Sequence, residues 1–169
     1  MTLQEGKDQF IQTWGALGSK WGINRTMAQV HALLLISPEA LTASEIKETL
    51  EISMGNANMN LRALIDWGLI RKEHKLGHRK EYYYAEKDIW KVASKIIEER
   101  KKRELAPIQA VLSDLKEIEG EGEDVDAFKK MIGDLTEFSN VADKTLDTVV
   151  KSDRNWITNS FIKFLVNKK

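Results

Sequence analysis

The alternation of apolar and polar positions predicts helices for most of the chain. Leu3, Phe10, Ile11, Trp14 and Leu17 stand three, four or seven apart and form one apolar stripe, the spacing that keeps side chains on a single helical face. Gly18 and Gly22 bracket a break at Trp21, and Asn24 is placed to cap a second helix carrying Met27, Val30, Leu34 and Ile36. Pro38 ends that helix, because its ring pushes Ser37 out of helical geometry. Thr42 then caps a short helix holding Ile46 and Leu50. After a turn at Glu51-Ile52-Ser53, Ser53 caps a further helix over residues 54–67, which Gly68 stops. Residues 69–75 and 81–85 read as strands, the second with the β-favouring run Tyr82, Tyr83 and Tyr84. Between them, Leu76-Gly77-His78-Arg79-Lys80 makes a cationic hairpin tip.

Helical spacing returns at Ile89. Ile89, Val92, Ala93, Ile96 and Ile97 form one stripe; Leu105, Ile108, Val111, Leu112, Leu115 and Ile118 form another after a break at Pro107. The stretch from Glu119 to Asp124 is acidic and glycine-bearing, and reads as a loop. Phe128, Met131, Ile132, Leu135 and Phe138 open a long amphipathic helix that continues through Leu146 and Val149. A last short helix is expected to carry Trp156, Ile157, Phe161, Phe164 and Leu165. Two capped helices across a tight turn, then a hairpin, is the order of a winged helix-turn-helix. The expected fold class is therefore mainly α: a winged helix-turn-helix with a small β-hairpin wing and a helical dimerisation region. The expected division is an N-terminal helix contributing to dimerisation (1–22), a DNA-binding winged helix (23–86), and a helical linker with a dimerisation and effector region (87–169).

Charge changes this picture only locally. The 169 residues hold 26 Lys and Arg against 26 Asp and Glu, a net charge of zero, yet attraction to phosphate depends on where cations gather. Arg71, Lys72, Lys75, Arg79 and Lys80 outnumber Glu73 and Glu81 on the predicted hairpin. The chain has no cysteine, which excludes disulfides, thiolate zinc sites and cysteine nucleophiles. No apolar run reaches the roughly 18–20 residues of a membrane span, and residues 1–10 lack the basic-then-apolar order of a signal peptide. A cytoplasmic protein without membrane contact is expected. No HExxH, phosphate loop or nucleophile elbow is present, so neither an enzyme nor a cofactor or metal is expected. His31, in an apolar helix, is expected to be packed and hydrogen-bonded.

The helix over 54–67 carries the functional expectation. At about 100° per residue, Ala57, Leu61 and Leu64 fall together toward a core. Gly55, Met59, Arg62 and Asp66 fall opposite, flanked by Asn56, Asn58 and Asn60. Asparagine is a poor helix former, so a merely solvated face would hold Glu, Lys or Gln. An asparagine at a major-groove edge can instead pair bidentately with adenine. Asn56, Asn58 and Asn60, with Met59 against a thymine methyl, are the expected base readers. Ser53, Gly55, Arg62, Arg71, Lys72, Lys75, His78, Arg79 and Lys80 are the expected backbone contacts. A winged helix used only for protein–protein assembly would instead place an apolar patch on the outer side of this helix.

Several of these stretches together resemble the GbsR group of MarR-type transcriptional regulators. They are Trp21-Gly22-Ile23-Asn24-Arg25-Thr26-Met27-Ala28-Gln29-Val30-His31-Ala32-Leu33-Leu34, Ser53-Met54-Gly55-Asn56-Ala57-Asn58-Met59-Asn60-Leu61-Arg62-Ala63-Leu64, Trp67-Gly68-Leu69-Ile70 and Gly77-His78-Arg79-Lys80-Glu81-Tyr82-Tyr83. The resemblance covers roughly residues 6–110, including the stretch from Arg100 to Pro107. It implies a homodimer that represses genes from double-stranded DNA, with choline or glycine betaine as possible effectors. A quaternary ammonium needs an aromatic cage, for which Trp14, Trp21, Trp90, Trp156, Phe128, Phe138, Phe161 and Phe164 are the available side chains.

Overall fold

The computed structural model describes residues 1–74, 76–77 and 79–152. Lys75, His78 and the helix expected around Trp156 and Phe161 lie outside the described residues. Helix α1 (Leu3–Lys20) opens with a capping box, in which Thr2 and Glu5 satisfy each other's backbone N–H groups. It lies along α2 (Arg25–Ile36), whose first turn is capped by Asn24. The two helices approach closely because α1 turns glycine toward α2. A Cβ on Gly18 would stand 2.6 Å from the Ala28 Cβ, and one on Gly15 2.7 Å from the Gln29 Cγ. Ile11 is buried on this side, but Leu3 is 77% exposed and lies outside the contact. The expected stripe therefore begins one turn too early, since the first turn overhangs α2.

A short strand β1 (Leu41–Thr42) leads into α3 (Ala43–Leu50), and α4 (Met54–Asp66) follows across a three-residue turn. Thr42 caps α3 and Ser53 caps α4, both as the sequence predicts. Strands β2 (Ile70–His74) and β3 (Glu81–Ala85) form the hairpin, and β1 pairs antiparallel with the outer side of β3, giving the order β1-β3-β2. β1 leaves no signal in the sequence pattern, because two residues carry no period and Thr42 is at once strand and cap. Val30, Leu34, Ile46, Leu61 and Leu64 are almost wholly buried, and Tyr83 and Ala85 face the same interior. These elements make a winged helix-turn-helix. Asp88 caps the next helix, α5 (Ile89–Arg100), through the N–H groups of Trp90 and Lys91. Beside it Lys87 closes the end of α2, its Nζ donating to the carbonyls of Leu34, Leu35 and Ser37 at 2.7, 2.7 and 2.8 Å.

The described residues divide into two compact units, Met1–Val92 and the residues from Ala93 onward. In the second, the expected break at Pro107 is absent. A π-helical segment (Lys101–Leu105) joins α5 to α6 (Ala106–Leu115), and the Ala106 N–H donates to the Lys101 carbonyl. The wider turn accommodates a proline that has no N–H and whose ring crowds the preceding turn. Helix α7 (Glu123–Lys151) starts inside the expected acidic loop, since Gly122 ends the loop and Glu123, Asp124 and Asp126 suit a helix N-terminus. It packs on α6 and the π-segment, and Lys101 pairs with Asp143 and Asp147.

Two groups in the first unit make its stability testable. Glu51, which ends α3, holds a left-handed conformation (φ 53°, ψ 40°) that costs a side-chain-bearing residue about 1 kcal/mol. Glu51→Gly is expected to raise the urea midpoint by a corresponding amount; an unchanged or lower midpoint would show the turn unstrained. His31 is buried and its Nε2 has no partner among the described residues, so it is packed as expected but this nitrogen lacks its expected hydrogen bond there. Burial, then the charge of Lys87, pushes its imidazole down to about 4. The folded protein thus resists a proton that the unfolded chain accepts near pH 6.5. Stability should be full above pH 6.5 and fall as pH drops through 4, and His31→Leu should flatten that slope in denaturation curves.

Candidate nucleic-acid interface

The core beneath α4 determines which of its residues stay outside. Ala57, Leu61 and Leu64 are buried, while Gly55, Arg62 and Asp66 are exposed and Met59 is 57% exposed. Asn56 and Asn58 flank this outer face, each half-buried. At the N-terminus the Ser53 Oγ accepts from the Asn56 N–H at 3.1 Å, and the space around Gly55 is open. The helix therefore presents a polar outer face with little apolar surface besides Met54 and Met59.

Asn60 departs from the expectation. It is only 2% exposed, and its Nδ2 donates to the Asn56 carbonyl at 2.9 Å and to the Asn56 Oδ1 at 2.7 Å. Its amide has no face to offer a base edge, so it supports Asn56 from behind. The signal was present in the sequence: positions 57, 60, 61 and 64 are spaced i, i+3, i+4 and i+7, the core-facing set.

Glu81, which the sequence reading treats only as a counter-charge, organises the wing. Its carboxylate accepts from the Lys72 Nζ at 2.9 Å and from the Tyr83 hydroxyl at 2.6 Å, with the His74 Nε2 3.6 Å away. These hydrogen bonds, from Tyr83 first and Lys72 second, hold Glu81 below the usual carboxylate range. Burial and the bond to Glu81 push the Tyr83 phenol up to about 12. The register explains the cluster, because Lys72 stands opposite Tyr83 and His74 opposite Glu81, all on one face of the hairpin. Lys72 is thus tied to a carboxylate, at the edge of a cleft of about 360 Å³ also lined by Asn58, Arg62 and Ile65. Arg71 points to the other face, exposed and 3.8 Å from Glu86. Arg79 and Lys80 are exposed at the tip and make no ion pair among the described residues. Of the expected residues, Asn58, Arg62 and Lys72 line this cleft.

The aromatic side chains do not assemble so simply. Trp14 stacks on Phe10 with ring centroids 5.5 Å apart and stands 6.3 Å from His31. Trp21 and Trp90 are exposed on separate elements, Phe128 and Phe138 are exposed on α7, and Trp156, Phe161 and Phe164 lie outside the described residues.

Comparison with known proteins agrees with this architecture. Residues 30–73 match the family described as a helix-turn-helix domain. A crystal structure of a transcriptional regulator is similar to this chain with a TM-score of 0.66 and 17% identity, covering 86% of this chain and 95% of that one; at this identity the likeness concerns the fold. A mutant of Lactococcus lactis ZitR, 21% identical over 81% of this chain and 97% of that one, has a TM-score of only 0.36 and carries no argument. No curated protein matches the chain.

The support given by Asn60 is measurable. Asn60→Ala removes both bonds to Asn56 and should lower the unfolding free energy by about 1 kcal/mol in urea titrations. A variant as stable as the parent would show that the buried amide contributes nothing.

Proposed function

We propose that the chain is a homodimeric regulator of transcription that binds double-stranded DNA in the cytoplasm, and acts as a repressor without catalytic activity. The observation that carries this reading is the outer face of α4: capped by Ser53, open at Gly55, bearing Asn56, Asn58 and Met59, and poor in apolar surface. A helix of this kind fits the major groove, where amide side chains pair with adenine and a thioether meets a thymine methyl. In this reading Asn56, Asn58 and Met59 read bases. Ser53, Gly55, Arg62, Arg71, Arg79 and Lys80 hold the phosphates, and Lys75 and His78 belong with them on sequence grounds. Lys72 is set aside because Glu81 already offsets its charge.

The helix-turn-helix match to residues 30–73 supports the DNA reading, and the resemblance of residues 6–110 supports membership of the GbsR group. One winged helix makes few contacts, so the operator is proposed to be a pseudo-palindrome. Its half-sites would be read by two α4 helices roughly 34 Å apart. The division into 1–22, 23–86 and 87–169 places reading in the middle segment and pairing and effector response outside it. Choline or glycine betaine is proposed as effector by resemblance alone, with a coupling of about 1–3 kcal/mol between ligand and DNA. Among the described residues no helix is long and apolar enough to cross a membrane.

Selection of bound sequences from random duplex DNA, with and without choline or glycine betaine, tests this reading. A two-fold symmetric consensus is expected. Asn58→Ala should cost about 1–3 kcal/mol at one base pair per half-site and leave the others untouched. Arg79→Ala should weaken all sequences alike and reduce the salt slope by about one per lost phosphate contact. Recovery of random sequence, or an equal salt slope for Arg79→Ala and the parent, would count against it.

A further inference from the structure

The cleft beside α4 is lined by two cations, Arg62 of α4 and Lys72 of β2, and by the carboxylate of Glu81 on β3. All three belong to the first unit. Both oxygens of Glu81 are bonded to the wall of that cleft. Its Oε1 accepts from the Lys72 Nζ, with the His74 Nε2 3.6 Å away, and its Oε2 accepts from the Tyr83 hydroxyl. An ammonium and a hydroxyl converging on two oxygens of one anion is a donor set that proteins offer to a phosphate. Here the anion belongs to the chain itself.

We infer that Glu81 occupies, as an internal anion, a phosphate-binding position between α4 and the wing, and so restrains sequence-independent binding to DNA. This rests on the nucleic-acid reading proposed above and deepens it by naming a residue that limits affinity. With α4 in the major groove and Arg79 and Lys80 on the backbone, the cleft between them faces the intervening phosphates. A carboxylate there acts twice. It uses the Lys72 ammonium, and its own charge opposes a phosphate approaching Arg62, most strongly at low salt.

The fold gives no other reason for a charge at this position. The Lys72 and Glu81 side chains are 49% and 38% exposed, and an ion pair so exposed adds little to stability. Tyr83 is already buried by packing, and an uncharged amide at position 81 could accept from its hydroxyl equally well. The phenol, pushed up to about 12, keeps its proton and remains a donor to whichever anion fills the cleft. Restraint of this kind has a use. A contact that ignores sequence strengthens binding to every competing site alike, and so holds a regulator away from its operator.

Glu81→Gln keeps the shape and the acceptor and removes only the charge. Binding of the full chain to its selected duplex and to a random-sequence duplex is followed by fluorescence anisotropy between about 50 and 200 mM salt. At the lower salt Glu81→Gln should bind both duplexes about three- to tenfold more tightly, with a salt slope steeper by about 0.9, the value of one added phosphate contact. Lys72→Ala alone should leave the slope of the parent unchanged. Placed in the Glu81→Gln background, it should return the slope to the parent's value, since the two side chains act as a pair. Glu117→Gln removes an exposed carboxylate of the second unit and makes the same change in net charge; it should gain less than about twofold, because exposed charges farther than a Debye length are screened. A further readout needs no DNA. The highest of the three tyrosine titrations, followed by phenolate absorbance, should fall in Glu81→Gln, which removes both a hydrogen bond and a negative charge from Tyr83.

The inference is overturned, with the nucleic-acid reading intact, if the parent binds DNA and Glu81→Gln gains no more than Glu117→Gln. Lys72→Ala lowering the slope of the parent by about one contact has the same force, as does an unmoved tyrosine titration. A parent chain that binds neither duplex at low salt overturns both. If Glu81→Gln loses its circular dichroism signal, Glu81→Ser carries the same predictions.

Discussion

Val30 and Leu34 of α2, Ile46 of α3, and Leu61 and Leu64 of α4 lose nearly all contact with water in one small cluster. Burial of side chains of this size contributes roughly 1.5–3 kcal/mol each, and the cluster fixes the rotation of α4 about its own axis. Turning α4 by one residue would expose Leu61 and Leu64 and bury Arg62. The polar outer face is therefore a consequence of the core, held in place without needing a ligand. Asn60 shows the same constraint acting on a polar residue: drawn into the interior by its position, it spends its amide on Asn56.

The wing obeys a second constraint, the two-residue period of its strands. That period puts Lys72, His74, Glu81 and Tyr83 on one face, where a single carboxylate gathers them. The cationic character read along the chain thus divides in space. Lys72 is neutralised within the fold, while Arg79 and Lys80 remain exposed at the tip. A net charge of zero and a locally positive edge are compatible because the counter-charges sit elsewhere, on the acidic approach to α7 among other places.

Most elements were legible because each is punctuated locally. Asn24, Thr42 and Ser53 cap where they were expected to, and the hairpin lies within a residue of its expected start. What escaped depends on distant neighbours. β1 exists only through its pairing with Tyr82 and Tyr83; the exposure of Leu3 follows from where α2 ends; and the continuity past Pro107 depends on a π-turn that no residue type announces. In the candidate site, Met59 and Arg62 were placed by helical period alone. Asn60 was misplaced because its chemistry outweighed its position, and Glu81 was overlooked because a hub is visible only when two strands are aligned. Helix α7 was visible as amphipathicity, but which of its sides is covered follows only from its packing on α6.

The claim that the outer face of α4 meets a duplex is tested most directly by hydrogen exchange on the full chain, with and without its selected duplex. The account predicts slowed exchange at residues 53–59 and around Arg79 and Lys80, and no change along α6. Protection confined to α6 and α7, with α4 and the wing exchanging as in the free protein, would contradict it.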